Sequence, residues 1–167
     1  MRLVIDSDVL IKITKASVKD VIASNFEVYM PLEVKNEAVD EGKVGGYPDA
    51  LAIEENITKG KMRVAETRRS GTTDRLIANL NLLGGEAGSV RLFKQGGYEA
   101  IASDDSKFID LLESLGIPYM TPGALLIHLL RRKRISKREA LQYLDKVRAF
   151  ISSDEYLASI EALRQEN

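Results

Sequence analysis

Acidic residues directly follow two of the predicted strands, at positions where a hydrophobic core has no use for a charge. Asp6 follows the apolar residues "LVI", and Asp104 and Asp105 follow "AIAS". Burying a carboxylate among apolar groups costs free energy unless a partner offsets its charge. In parallel α/β sheets, ligands bind beyond the carboxyl ends of the strands, so these acids predict a ligand site lined by carboxylates.

Each of these acids also has a structural interpretation, because aspartate is a favoured N-cap for the helix that follows. That interpretation is as good as the functional one for Asp8 and Asp104. It suits Asp6 less well, because the strand has barely ended there. The sequence alone leaves both roles open for Asp8 and Asp104.

Two further acids belong to predicted helices. Glu86 opens a helix after a double glycine, although an acid in a first turn is favourable for the helix dipole alone. Glu37 lies within "PLEVKNEAVDEG", in the helix after the second strand. Glu33, Asp40 and Glu41 lie so near Glu37 that composition does not choose among the four.

Strands and helices alternate along the chain, which indicates a parallel sheet covered on both faces. The predicted strands are 2–5, 26–30, 62–66, 99–103 and 117–120. Predicted helices lie at 8–15, 32–41, 49–59, 76–80, 86–95, 105–115 and 122–132, and two more follow capping boxes at Ser136 and Ser152. We therefore predict an α/β fold, a three-layer sandwich with a mostly parallel central sheet. Residues 1–150 form the main domain, and 151–167 add a C-terminal helix to that same domain.

The composition narrows the classes of function. The chain has 167 residues, of which 44% are hydrophobic and 29% charged, as expected of one globular domain. A net charge of -1 argues against a general attraction to nucleic acid but allows a local basic patch. The absence of cysteine excludes disulfides, thiolate metal sites and cysteine nucleophiles, and it suits a cytoplasmic protein. We expect no signal peptide and no membrane-spanning segment.

The order and spacing of five segments resemble those of the PIN-domain family, particularly small archaeal-type members and VapC-like toxin ribonucleases. "LVIDSDVLI" resembles the family's first strand and the acid that follows it. "LEVKNEAVDEG" and "GGEAGSV" are similar to its two acid-bearing helices. "AIASDDSKF" resembles its Thr-x-Asp-x-x-Phe segment, and "LGIPYMTPGALLIHLLRRKRISKREALQYLDKV" resembles its closing helices. Together these segments cover most of the chain.

This resemblance implies a cluster of carboxylates that binds Mg²⁺ or Mn²⁺ and cuts single-stranded RNA. Carried over by position, the catalytic acids are Asp6, Glu37, Glu86 and Asp105. Asp6, Glu86 and Asp105 would bind the metal, and Glu37 would complete the site directly or through water. The residues expected to support them are Ser7, Asp8, Ser103 and Asp104.

The sequence departs from the family pattern at four positions. Asp8 stands where asparagine is usual, and Glu86 replaces a commoner aspartate. Gly88 and Arg91 stand in the same helix where small apolar residues are typical.

The chemistry suits these residue types. Carboxylates held a few ångströms apart repel one another by roughly 4 kcal/mol per pair in a medium of intermediate dielectric constant. A divalent cation removes that penalty, and Mg²⁺ prefers oxygen ligands while keeping some of its waters. One of those waters can be activated for in-line displacement at phosphorus.

The positive charge needed to bind RNA is expected in a few arginines and not over the whole surface. Arg68 and Arg69 lie in the loop "ETRRSGTT" and Arg75 follows it, where phosphate binding is their functional interpretation. The basic run at 131–134 is better explained as the cationic end of a helix. His128 lies within "ALLIHLL" and is expected to pack rather than to catalyse.

Other functions remain open from the sequence alone. The pairs Asp6–Asp8 and Asp104–Asp105 also resemble those of haloacid-dehalogenase-type phosphatases, although Leu10 stands where that family has threonine or valine. A PIN-fold module that binds RNA or protein without cutting is a third alternative. If the chain is a toxin, an antitoxin protein is an expected partner. The apolar "ALLIHLL" predicts a homodimer through the helices near the carboxyl end.

Overall fold

Five strands form one sheet at the centre of the fold, in a computed structural model that describes residues 1–166. The strands are β1 (Arg2–Ile5), β2 (Glu27–Pro31), β3 (Met62–Ala65), β4 (Ala100–Ala102) and β5 (Tyr119–Met120). They lie in the order β3-β2-β1-β4-β5, and every neighbouring pair is parallel. The predicted α/β fold class is therefore confirmed, with a sheet that is wholly parallel within the described residues.

Helices connect the strands. They are α1 (Ser7–Lys15), α2 (Lys19–Asn25), α3 (Leu32–Lys35), α4 (Gly42–Val44), α5 (Pro48–Thr58), α6 (Gly71–Asn79), α7 (Gly84–Lys94), α8 (Ser106–Ser114), α9 (Pro122–Arg131), α10 (Lys137–Val147) and α11 (Ser153–Gln165). A π-helical segment, Asn36–Glu41, joins α3 to α4, where the sequence predicts one continuous helix. Helix α2 was not predicted, because its seven residues bury only Ile22 and show no apolar period.

The sheet separates two hydrophobic cores. Leu3 and Ile5 of β1 face the core formed with α1, α2, α9, α10 and α11, whereas Val4 faces the core formed with α7 and α8. Met30 of β2 and Ala102 of β4 face the same core as Leu3 and Ile5, because successive residues of a strand point to opposite faces. The alternation confirms the three-layer arrangement.

The apolar residues of α9 are used within the chain. Leu125, Leu126 and Leu129 are buried in the core that α10 and α11 also line. Leu163 of α11 belongs to that core as well. The apolar excess that suggested a homodimer therefore has an internal explanation, and the dimer stays a prediction. The division of the chain at residue 150 also stays a prediction, and Asn167 lies outside the described residues.

None of the helices within residues 1–166 combines the length and the apolar character needed to cross a bilayer. The longest of them, α11 (Ser153–Gln165), has 13 residues and carries charged side chains. A membrane-spanning α-helix needs about 20 apolar residues.

Candidate active site

The pairing of β1 with β4 places Asp6 beside Ser103. Ile5 lies opposite Ala102 in the register, so the next residue of each strand leaves the sheet at the same edge. The Asp6 backbone N–H donates to the Ala102 carbonyl over 3.0 Å, and the Ser103 hydroxyl donates to Asp6 Oδ2 over 3.4 Å. Asp6 is only 7% exposed, so its carboxylate is held in a largely dry environment.

Asp6 and Asp105 are the N-caps of α1 and α8. Asp6 Oδ1 accepts from the Ser7 N–H over 2.9 Å, and Asp105 Oδ1 accepts from the Phe108 N–H over 2.8 Å. The sequence left a capping role open for Asp8 and Asp104 and disfavoured it for Asp6, whereas the helices begin directly after Asp6 and Asp105 and are capped by them. Each cap uses Oδ1, and within residues 1–166 neither Oδ2 accepts a backbone hydrogen bond.

Asp8 and Asp104 are instead grouped around Lys12. The Lys12 ammonium donates to both carboxylate oxygens of Asp104, over 2.9 and 2.7 Å, and lies 3.8 Å from Asp8 Oδ2. The side chain of Asp104 is only 6% exposed, whereas that of Asp8 is 66% exposed. Burial lowers the pKa of Lys12, but the hydrogen bonds to Asp104 and the charge of Asp104 raise it by more, so that the pKa of Lys12 lies above its usual value. Asp104 therefore has its charge compensated, unlike the acids beside it.

The π-helical segment selects Glu37 from the acids of its helix. Glu37 Oε2 accepts from the Ser7 hydroxyl over 2.8 Å, and Oε1 accepts from the Gly85 N–H over 2.7 Å. The extra residue in a π-helical turn changes the direction in which a side chain points. Asp40 lies instead beside Lys35, at 2.6 Å. Glu37 is thus fixed between the amino ends of α1 and α7.

Two glycines make room for that carboxylate. A Cβ at Gly84 would lie 2.5 Å from Glu37 Oε1, and a Cβ at Gly85 would lie 2.7 Å from Glu37 Oε2. Gly84 also has a φ of +49°, which disfavours any other residue. The double glycine was expected to precede the helix that Glu86 opens. It instead forms the first residues of α7, so that a backbone N–H can reach Glu37.

The carboxylates at this edge of the sheet repel one another. Burial raises the pKa of Asp6 to about 7, despite the hydrogen bond from Ser7. The charges of Asp8, Glu37 and Glu86 contribute to the same rise. Burial also raises the pKa of Glu86, and so does its nearness to Asp105 and Glu37. Asp6, Glu37, Glu86 and Asp105 therefore share one region of negative potential.

The four carboxylates are suitable ligands for a divalent cation, although their oxygens are not already arranged around a common point. Within residues 1–166, no three Asp, Glu or His side chains are arranged so that they could hold a metal ion. The donors that face one another are all carboxylate oxygens, the type that Mg²⁺ and Mn²⁺ prefer. Burial is the main cause of the raised pKa of Asp6, the charges of Asp8, Glu37 and Glu86 add to it, and no cation forms an ion pair with Asp6 among the described residues. A divalent cation would offset these charges, and the side chains would have to move to coordinate that cation.

Glu33 explains the two unusual residues of α7. A Cβ at Gly88 would lie 2.8 Å from Glu33 Oε2, so only glycine admits this carboxylate. Arg91 Nη1 lies 3.5 Å from Glu33 Oε1, and Arg91 Nε donates to Asp74 Oδ1 over 3.0 Å. The contacts join α3, α6 and α7. Gly88 and Arg91 stood out in the sequence as unusual for this helix, but the sequence did not show that Glu33 is the residue they contact.

The predicted RNA-binding arginines are accessible. Arg68 and Arg69 are exposed in the loop after β3, and Arg75 is exposed on α6. This loop leaves the sheet at the carboxyl end of β3, the edge that also carries Asp6. His128 is half-buried with its ring centroid 5.5 Å from that of Phe26, which agrees with a packing role.

The sequence matches a family model described as PIN domain over residues 2–165. The matched segment includes all five strands and all four acids of the candidate site. No curated protein matches the sequence. The family relationship therefore rests on a match that covers nearly the whole chain.

Proposed function

Because the chain belongs to the PIN-domain family, whose members are generally nucleases, we propose that it is a metal-dependent ribonuclease that cuts single-stranded RNA. The family match supports a nuclease in general terms. The dependence on Mg²⁺ or Mn²⁺ and the choice of RNA are our proposal. They draw on the acids at the carboxyl ends of β1 and β4.

The observation that carries the proposal is the uncompensated charge of a buried carboxylate. Asp6 is 7% exposed, and its pKa is raised to about 7 by burial and by neighbouring acids. A structural carboxylate at such a position would have a cationic partner, as Asp104 has in Lys12. Asp6 has no such partner in the part of the chain that the structure describes, which favours a role in binding a cation.

Asp6, Glu86 and Asp105 are the residues that would hold Mg²⁺ or Mn²⁺. The cation would neutralise their charges and supply an activated water and electrostatic stabilisation at phosphorus. Asp6 and Asp105 each use Oδ1 as a helix cap, which fixes the carboxylate on the first turn of α1 and of α8. Their backbone bonds thus orient both groups before any ligand arrives.

Ser7, Glu37 and Ser103 have positioning roles in this proposal. Ser103 donates to Asp6 Oδ2, and Ser7 donates to Glu37 Oε2. Glu37 accepts from the Ser7 hydroxyl and from the Gly85 N–H, and these bonds hold it between α1 and α7, which suits it to orient its neighbours. Lys12 and Asp104 hold the turn that carries Asp105, and Asp8 lies at the exposed end of this network.

The RNA backbone would lie along the edge of the sheet toward α6. Arg68, Arg69 and Arg75 are exposed there and belong to no ion pair among the described residues. Such cations bind phosphates without reading sequence. A strong dependence of RNA binding on salt concentration is expected.

A toxin–antitoxin role and a homodimer are further parts of the proposal. An antitoxin would have to cover the acidic site, for which a cationic side chain is the complementary group. Light scattering would test the homodimer, and a monomer at micromolar concentration would count against it. The phosphatase alternative is not carried forward, because the family match is to PIN domain. A PIN-fold module that binds without cutting remains the competing outcome of the assay.

The experiment is cleavage of labelled single-stranded RNA by the purified chain with Mg²⁺ or Mn²⁺, and its arrest by EDTA. p-Nitrophenyl phosphate serves as a control substrate that a ribonuclease leaves intact. Metal binding is measured separately by calorimetry. Binding of RNA with no metal-dependent cleavage would support the non-catalytic module and reject the enzyme.

A further inference from the structure

A pocket lies at the amino ends of the strands, at the opposite edge of the sheet from the candidate active site. It has a volume of about 380 Å³, and its lining includes Asn25, Glu99, His128, Arg132 and Arg134. We propose that this pocket binds a phosphate group. The proposal does not rest on the ribonuclease function, because none of the four acids of the candidate site belongs to this lining.

The pocket is separated from those acids by the length of a strand. Met1, which also lines the pocket, directly precedes β1, whereas Asp6 directly follows β1. Asn25 and Glu99 likewise lie shortly before β2 and β4. An extended chain advances about 3.3 Å per residue, so the stretch from Met1 to Asp6 spans roughly 16 Å. A phosphate in this pocket is therefore a different group from the one that would be cleaved.

Two arginines of the pocket have no anionic partner in the part of the chain that the structure describes. Arg132 and Arg134 are exposed, and neither forms an ion pair within residues 1–166. Their neighbour Arg131 differs, because its Nε lies 2.6 Å from Glu166 Oε1. A guanidinium presents its N–H donors in a planar fork that matches the oxygens of a phosphate. Both guanidiniums are thus available to an anion.

The carboxyl end of α9 does not need these two side chains as hydrogen-bond donors. Its last carbonyls accept the backbone N–H groups of residues 132–134 over 2.8 to 3.0 Å, those of His128, Leu129 and Leu130. Lys133 makes this turn in the left-handed conformation, with a φ of +55°. The residues on either side of Lys133 line the pocket, and Lys133 does not. The turn that ends the helix therefore also places two arginines at one pocket.

The other groups of the pocket leave its charge positive. Glu99 is an acid of the lining, but its Oε2 already accepts from the Arg2 N–H over 2.7 Å. Burial lowers the pKa of His128, and the charge of Arg132 lowers it further, while Glu99 acts in the opposite direction. The positive charges around the imidazole thus outweigh Glu99. A bound phosphate would compensate them, and the imidazole would add an N–H donor.

A phosphate suits this arrangement better than a carboxylate does. Two guanidiniums match the charge of a phosphate monoester, or of two successive phosphates in a strand, whereas a carboxylate carries a single charge. The volume also admits part of the molecule to which the phosphate is attached. That molecule is either an RNA strand or a small phosphorylated compound, which present the same chemistry to the pocket.

The test is a titration of the isotope-labelled full chain with pyrophosphate in metal-free buffer, followed by NMR. His128 is the single histidine of the chain, so its ring signals are assigned directly. We expect saturable shifts of these signals and of the backbone amides of residues 132–134. The pKa of His128 should rise, because a bound anion stabilises the imidazolium. Succinate, whose two charges lie on separate carboxylates, should bind severalfold more weakly.

A double variant and a matched control locate the binding. Arg132→Gln/Arg134→Gln should weaken pyrophosphate binding at least tenfold and remove the rise in the pKa of His128. Lys133→Gln removes an adjacent positive charge that does not line the pocket, and it should bind within about twofold of the wild type. All three positions are exposed, so the variants should melt at the temperature of the wild type.

A labelled single-stranded RNA distinguishes the two sources of phosphate. If a strand supplies it, Arg132→Gln/Arg134→Gln weakens RNA binding severalfold and pyrophosphate competes with the RNA. If a small compound supplies it, the double variant binds RNA like the wild type while it loses pyrophosphate. Either result keeps the phosphate site.

The inference is overturned if pyrophosphate leaves the His128 ring and the amides of residues 132–134 unchanged. It is also overturned if succinate binds as tightly as pyrophosphate, or if the double variant binds like Lys133→Gln. Failure of the proposed ribonuclease gives a different result, because cleavage is not measured in this titration. A chain that never cuts RNA but binds pyrophosphate here keeps the site, and a chain that cuts RNA without this response loses only the site.

Discussion

Glu37 accepts a hydrogen bond from the Gly85 N–H over 2.7 Å, so that a carboxylate from the π-helical segment caps the amino end of α7. The contact joins two residues 48 positions apart in the chain. It exists only because neither Gly84 nor Gly85 carries a side chain. The same carboxylate accepts a hydrogen bond from the Ser7 hydroxyl, which links the amino end of α7 to the residue after Asp6.

Gly85→Ala should displace Glu37 and disturb the whole site. The new Cβ would lie 2.7 Å from Glu37 Oε2 and 3.1 Å from Val34 Cγ2. We expect a loss of stability of about 1–3 kcal/mol and a clear drop in RNA cleavage. Urea denaturation and a cleavage assay measure the two effects.

Gly71→Ala provides the matched control for that substitution. Gly71 also lies in the first turn of a helix, and a Cβ there meets nothing within 4 Å. Its stability and activity should equal those of the wild type or exceed them slightly. If the two variants were equally stable and equally active, the space that Gly84 and Gly85 leave for Glu37 would matter neither for stability nor for cleavage.

Asp6→Asn and Asp105→Asn should each abolish cleavage while the fold survives. Asparagine is as good an N-cap as aspartate, so α1 and α8 keep their first turns. It lacks the negative charge that a divalent cation requires. We expect at least a hundredfold loss of activity, on the order of the effect of removing one electrostatic catalytic group. Asp110→Asn, on the exposed side of α8, is the control and should cleave normally.

The contribution of Asp6 to the stability of the metal-free protein should fall as pH rises from about 4 to about 7. The pKa of Asp6 is raised from 3.8 to about 7 in the fold, so the folded state holds the Asp6 proton over a range where the unfolded chain releases it. The loss of unfolding free energy caused by ionising Asp6 is absent below this pH range and complete above it, with an upper limit of ~4 kcal/mol. Melting curves in EDTA at several pH values measure it.

Asp6→Asn removes that dependence, because asparagine does not titrate. It should melt higher than the wild type in EDTA near neutral pH, and the difference should vanish in acid. Saturating Mg²⁺ or Mn²⁺ should stabilise the wild type, by roughly 2.7 kcal/mol at a hundredfold excess over Kd, and should affect the variant less. If Asp6→Asn melts well below the wild type in EDTA at pH 7, Asp6 is a structural residue.

Lys12→Met should destabilise the protein, because it leaves the Asp104 carboxylate without its partner. The side chain of Asp104 is 6% exposed and both of its oxygens accept from Lys12. Removing one member of such a pair costs about 3 kcal/mol. The double variant Lys12→Met/Asp104→Asn should recover part of this loss in a double-mutant cycle. Lys107→Met, at an exposed position on α8, should be neutral.

The sequence by itself determined the layers and the edge of the sheet at which the site lies. Apolar runs of four or five residues, separated by helical periods, are typical of buried parallel strands, and the structure has all five of them. Acids directly after two of these runs were enough to predict where the candidate site lies, because parallel strands end at a common edge. These features depend on residues close together in the chain, which is why they could be predicted.

Only the tertiary structure decided which acids lie together. Asp6 and Ser103 are 97 residues apart, and Ser7 and Glu37 are 30 apart, so no local pattern reports their contact. The choice of Asp6 and Asp105 as caps depended on helix starts that differ by one residue from those predicted. The partner of Gly88 proved to be Glu33, a residue on another helix. A carboxylate's role depends on the charges and donors packed around it, and that environment is assembled by the fold.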